Sequence, residues 1–242
     1  MREDTKKYLN LLRILSVDMI DTAKAGYPGI SLGASSIIYT LFTRHLNIMP
    51  SDPHWLNRDR LVLSAAHASG LVYANMFMAG YDITLDDLKN FGQVDSKTPL
   101  LNDMLKTSGI DLTTGPVGYG FSGAVGMAIA EKYYENLLNK YIKSQKLVGH
   151  YIYCLVSDGD LESGILMEAA SLAGLYNLGN LIVLYDSNNM TMDNNIEKSS
   201  IDDVLKKFSS LGWQTDYVAE GSSVDKIDKA IKRAKRVTNK PS

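Results

Sequence analysis

Near the start of the chain, apolar residues fall at Leu9, Leu11, Leu12, Ile14, Leu15 and Met19. That is helical spacing, and the helix should run until the Gly26-Tyr27-Pro28-Gly29 break. The same pattern predicts a helix over 35–45, a short strand over 61–63, a helix over 68–79 and a long helix over 121–143. Residues 92–119, rich in Gly, Pro, Ser and Thr, read as loop. The second half alternates more regularly. Strands are predicted over 151–156, 181–185 and 213–218, and helices over 163–176, 202–211 and 224–237. The first two strands are unbroken apolar runs, which implies burial on both faces. Strands of that kind alternating with helices predict an α/β fold, a doubly wound, mostly parallel sheet with helices on both faces. No internal repeat or linker divides the chain, so one domain over 1–242 is expected.

Composition narrows the partners. The chain has 242 residues, with 25 basic and 27 acidic side chains and a net charge of −2. That balance gives no general attraction to a polyanion, and no nucleic-acid partner is expected. Lys226, Lys229, Lys232 and Lys235 are spaced like the wet face of a helix. The one cysteine, Cys154, lies in an apolar run, which fits a reducing, cytoplasmic setting. No apolar run approaches the ~20 residues of a membrane span, and the N-terminus lacks an apolar signal core.

Two polar clusters close the first two runs of the second half: Ser157-Asp158-Gly159-Asp160 and Tyr185-Asp186-Ser187-Asn188-Asn189-Met190. Ligands of parallel sheets sit at the carboxyl ends of strands. A magnesium ion takes oxygen ligands, often one carboxylate plus phosphate oxygens. Asp158 could supply a carboxylate oxygen and Asn188 an amide oxygen, while Gly159 would let a phosphate approach the backbone. Asp, Asn, Ser and Gly also dominate caps and turns for local reasons, and spacing alone does not decide between the two.

The chain resembles transketolases in their thiamine-diphosphate-binding region. Ser157-Asp158-Gly159 is similar to the Gly-Asp-Gly of thiamine-diphosphate enzymes, and Asn188 follows Asp158 by thirty positions. Further similar stretches, in family order, are Ala25 to Gly29, Arg58 to Ser64, His67-Ala68-Ser69, Gly80-Tyr81-Asp82, Ser96 to Pro99, Thr113 to Pro116 and Ala124 to Lys132. The resemblance runs along nearly all of the chain. It implies that Asp158, Asn188 and the backbone carbonyl of Met190 ligate magnesium (or calcium or manganese), which bridges to the diphosphate. It implies cofactor contacts at Gly159, His67, Gly115, Pro116, Val117 and Met192, with His67 also catalytic. Plain core filling is the other reading of Met192. The implied activity is two-carbon ketol transfer between sugar phosphates. The glutamate that activates the cofactor belongs, in that family, to a second domain. A companion C-terminal part or chain and a dimeric assembly are therefore expected.

The chain departs from the family where substrate would lie. Two family histidines fall on Tyr27 and Leu101. Histidine transfers protons near neutral pH, leucine cannot, and tyrosine titrates near ~10. A cofactor-binding relative with lost or altered ketol transfer, or a non-catalytic interaction subunit, is the alternative. A dinucleotide fingerprint is also present literally, Gly118-Tyr119-Gly120-Phe121-Ser122-Gly123. It should follow a strand, and 112–117 reads as loop.

Overall fold

The computed structural model describes residues 3–141, 147–191 and 194–242. They sort into two compact units, one of residues 1–54, 66–115 and 218–229, the other of 55–65, 116–217 and 230–242.

The first unit is helical. Helix α1 (Glu3–Ala23) buries Leu9, Leu12 and Met19 of the apolar set expected from the sequence, with Thr5 and Ser16, while Leu11 and Ile14 are exposed. Pro28 opens the short α2 (Pro28–Gly33), which the Pro-Gly pair disguises as a turn. Helix α3 (Ser35–Thr40) runs into a π turn at Leu41–His45. A 3-10 turn at Ala66–Ala68 leads into α4 (Ser69–Ala79), buried throughout its first two turns. Such an all-round apolar helix has to be central. Helix α5 (Leu85–Lys89) starts with a capping box: Thr84 Oγ1 accepts from Asp87 N at 3.1 Å and Asp87 Oδ2 accepts from Thr84 N at 2.8 Å. The segment after it holds itself with side chains instead of a ladder. Thr98 Oγ1 donates to Asp87 O, Thr107 Oγ1 to Lys97 O, both at 2.6 Å, and Asn102 Nδ2 to Leu112 O at 2.7 Å. As expected, no helix or strand occurs from 92 to 118 among the described residues.

The second unit contains the sheet. Strands β1 (Arg60–Leu63), β2 (Ile152–Ser157) and β3 (Leu181–Asp186) are parallel in the order β1-β2-β3. Residues 152–156 are all buried, so β2 is covered on both faces. Helix α6 (Tyr119–Leu138) packs along the strands and against α8 (Gly164–Leu175). Between β2 and α8 lies one helical turn, α7 (Asp158–Leu161). After β3 come a two-residue pair, β4 (Met190–Thr191) and β5 (Asn194–Asn195), a 3-10 turn at Ile196–Lys198 and α9 (Val204–Ser210). The last helix, α10 (Val224–Arg236), carries Lys235 over the rings of Tyr151 and Tyr153, at 4.8 and 5.6 Å.

Two expectations need correction. The long helix stops at Leu138, not 143. Asn139 caps it and turns the chain back, its Oδ1 accepting from Leu147 N at 2.8 Å and its Nδ2 donating to Val148 O at 2.9 Å. Lys143 lies outside the described residues. The strand expected over 213–218 does not form. The edge of β3 is taken by Ser242, whose N–H donates to Leu181 O at 3.1 Å and whose carbonyl accepts from Val183 N at 2.8 Å. Trp213 turns inward, stacked on Phe121 at 5.8 Å, with its indole N–H on Ala170 O at 2.8 Å.

Candidate functional site

The parallel register sets Val156 beside Tyr185 and Ser157 beside Asp186. The two polar clusters therefore end on adjacent strands. Asp158 starts α7 and is 1% exposed. Its Oδ1 accepts from the Tyr185 hydroxyl. Its Oδ2 accepts from the backbone N–H of Asn188 at 3.3 Å and of Met190 at 3.2 Å. Asn189 between them adopts a left-handed conformation, φ 61°, which asparagine tolerates better than most residues. The Met190 N–H is shared, since Asn188 Oδ1 also accepts it at 3.0 Å. Asp158 Oδ2 and Asn188 Oδ1 thus meet at one N–H donor, and Asp158 Oδ1 has the Tyr185 hydroxyl as its partner.

Asp160 behaves differently. Its Oδ1 accepts from Ser64 Oγ at 2.7 Å and Gly118 N at 3.0 Å, and its Oδ2 from Ser157 N at 2.9 Å and Ser157 Oγ at 3.0 Å. All four acceptor positions of that carboxylate are used. It is a structural tie, and the cap-and-turn reading holds for Asp160. Among the described residues no cation pairs with Asp158, Asp160 or Asp186. Burial first, then the charge of Asp158, pushes the Asp186 carboxyl above its usual range. Burial and the bond to Asp158 push the Tyr185 hydroxyl up to about 12, so it stays a donor.

The candidate ligand atoms here are oxygens, of one buried carboxylate and one amide. No cluster of three or more His, Cys, Asp or Glu of metal-holding geometry occurs among the described residues. A cation at Asp158 would need ligand oxygens as well, which is the habit of magnesium. Beside Asp158, a Cβ built on Gly159 meets nothing within 4 Å, so the backbone there is open to a ligand. The residues fit a hard divalent cation carrying an anionic ligand.

Met192 lies outside the described residues. Pro116 and Val117 are exposed in the loop before α6. In the first unit, His67 sits in the 3-10 turn before α4, and the Tyr27 ring meets it edge-on at 5.4 Å between centroids. Leu101 stands close to Gly115: its Cδ1 would be 3.2 Å from a Cβ there. Asn102, next in the chain, fixes that loop by accepting from Thr114 Oγ1 at 2.8 Å. The sequence placed Tyr185 at the head of the second polar cluster but gave it no role, since its partner Asp158 lies on the neighbouring strand end.

The dinucleotide fingerprint has another explanation. No strand precedes it. Gly118 has φ 79°, and a Cβ on Gly120 would stand 2.4 Å from Ser64 Cα. Gly120 lets α6 approach the end of β1 closely, and Gly118 makes room for Ser163.

Polar clusters at the carboxyl ends of adjacent parallel strands place the chain in the class of α/β sheet domains that bind a ligand there. Residues 4–242 match the family described as "Transketolase, thiamine diphosphate binding domain". The chain belongs to that family. It is 45% identical over 234 residues to the transketolase of Aquifex aeolicus (strain VF5), covering 97% of this chain and 34% of that one. To the transketolase of Bacillus subtilis (strain 168) it is 44% identical over 237 residues, covering 98% and 35%. Among solved structures, Campylobacter jejuni transketolase superposes with TM-score 0.90 at 43% identity, covering 96% of this chain and 35% of that chain. A Pichia stipitis transketolase in complex with sedoheptulose 7-phosphate superposes with TM-score 0.94 at 38% identity, covering 97% and 34%. The chain thus spans about a third of the length of the relatives it matches.

Proposed function

We propose that residues 1–242 act as one domain that holds thiamine diphosphate through a divalent cation, magnesium or its substitutes calcium and manganese. Asp158 and Asn188 give side-chain oxygens and Met190 its backbone carbonyl. The observation that carries this is the buried Asp158 carboxylate, without a cation partner among the described residues and with an acceptor position on Oδ1 unused, linked to Asn188 through its N–H and the shared Met190 N–H. Gly159 faces the diphosphate, and its open surroundings support that role. His67, Gly115, Pro116, Val117 and Met192 are proposed cofactor contacts by family membership, with His67 moving protons at the reacting end.

When bound, the cofactor supplies carbanion stabilisation. The chain supplies binding, charge neutralisation through the cation, and orientation. The proposed reaction is ketol transfer between sugar phosphates, completed by a companion C-terminal part or chain in a dimeric assembly. The match to a third of each relative supports the companion, and the sugar phosphate bound by the Pichia enzyme supports the substrate class. A reducing, cytoplasmic setting is proposed from the free, buried Cys154. Among the described residues no helix is long and apolar enough to cross a membrane.

A second reading is favoured by Tyr27 and Leu101. An aromatic ring against His67 and an isobutyl group beside Gly115 put no further imidazole at either position. On this reading cofactor binding is kept and ketol transfer is weakened or redirected. Calorimetric titration with thiamine diphosphate in magnesium, beside Asp158→Ala, tests the first reading. Saturable heat lost in the variant supports it, and heat unchanged by the variant removes the cation assignment. In the completed enzyme, histidine at both 27 and 101 should raise turnover on sugar phosphates. No gain would remove the second reading.

A further inference from the structure

We propose that Tyr185 is a positioning residue that aims the Asp158 carboxylate at the cation. This rests on the cation reading above. A carboxylate on a short side chain can swivel about its last bond, and it is fixed only when both oxygens are held. Asp158 Oδ2 is held by two backbone N–H groups, at 3.3 and 3.2 Å, long for N–H···O bonds. Oδ1 is held by the Tyr185 hydroxyl. Each oxygen has two acceptor positions. Those of Oδ2 are both used, whereas Oδ1 keeps one, so the oxygen free to meet a cation is the one that Tyr185 holds. Asp160, two residues on, has no acceptor position left.

The placement follows from the fold. Tyr185 belongs to β3 and pairs in register with Val156, two residues before Asp158. The tyrosine therefore reaches across from the neighbouring strand, and Ser187 of the loop that supplies Asn188 and Met190 also bonds its hydroxyl. Groups that hold a metal ligand from behind typically carry a 10–100-fold share of affinity.

The test is a manganese titration of the 242-residue chain in the presence of thiamine diphosphate, reading free Mn²⁺ by electron paramagnetic resonance. The urea midpoint without metal is read alongside. Tyr185→Phe should weaken Mn²⁺ binding about 10–100-fold. Tyr185→Gln, which returns a donor, should recover part of the loss, and the metal-free urea midpoint of Tyr185→Phe should stay near that of the wild type. Affinity unchanged in Tyr185→Phe while Asp158→Ala abolishes binding would overturn the proposal and leave the cation reading intact. Tighter binding in Tyr185→Phe would also overturn it, because the phenol would then be competing with the cation. If Asp158→Ala binds Mn²⁺ like the wild type, the cation reading itself fails, and this proposal with it.

Discussion

Both ends of the parallel sheet bury acids, but in different company. At the amino end, Asp59 and Glu131 are 4% and 3% exposed. Asp59 Oδ1 accepts from Tyr151 N at 2.8 Å, and Glu131 Oε1 from His150 N at 2.9 Å, with Glu131 Oε2 3.5 Å from His150 Nδ1. The charges of Arg58 and Arg60 also reach His150, and that of Asp59 reaches Lys235. Negative charge there lies within reach of the chain's own cations. At the carboxyl end Asp158, Asp160 and Asp186 have no such partners among the described residues. Burial of an acid therefore does not by itself mark a site. What marks one is negative charge that the fold leaves for something else to neutralise.

The two carboxyl-end acids should separate first and most widely. Asp160→Ala strands Ser64 Oγ, Gly118 N and Ser157 N, each buried donor costing about 1–3 kcal/mol. The variant should lose roughly 3–5 kcal/mol in urea unfolding without metal. Asp158→Ala strands only the Tyr185 hydroxyl and two long backbone bonds, and should lose less than half as much. With thiamine diphosphate and magnesium added, the wild-type midpoint should rise and that of Asp158→Ala should not, since a ligand stabilises only the state that binds it. Equal losses in the two metal-free variants would break the distinction between tie and ligand. Next in size is Glu131→Gln at the other end. It should cost about 1–3 kcal/mol and leave the calorimetric binding of cofactor unchanged.

Much of the carboxyl-end site is legible in the sequence. Asp158 and Asn188 stand thirty residues apart because one strand–helix–strand passage separates two parallel strand ends, and the apolar runs before them gave those ends away. The capping box of α5 was written in Thr84 and Asp87, an overlooked signal. Other features were not written locally. Residues 213–218 alternate like a strand, but a strand exists only beside a partner, and β3 pairs with Ser242 instead. In Ser-Asp-Gly-Asp the same kind of box ties Ser157 to Asp160, but nothing local tells that the second oxygen of Asp160 is filled as well. That depends on Ser64 and Gly118, brought in from β1 and α6.

The smallest predicted effect is a pH dependence confined to the amino end. Burial, with the Arg60 and Arg58 charges behind it, outweighs Glu131 and pushes the His150 imidazole down to about 4. Above pH ~6.5 the side chain is neutral in both folded and unfolded chains and contributes no slope. Between ~6.5 and about 4 the unfolded chain takes up a proton that the folded chain refuses. Stability should therefore fall as pH drops through that window. Carboxylates titrate at its lower edge, so the measurement is a difference: urea midpoints of the wild type and His150→Gln from pH 7 to 4.5, without metal. The wild-type curve should fall more steeply over the upper half of the range. Parallel curves would mean that Glu131 holds the imidazole charged, and that the amino end is an ion pair instead of a neutral lock.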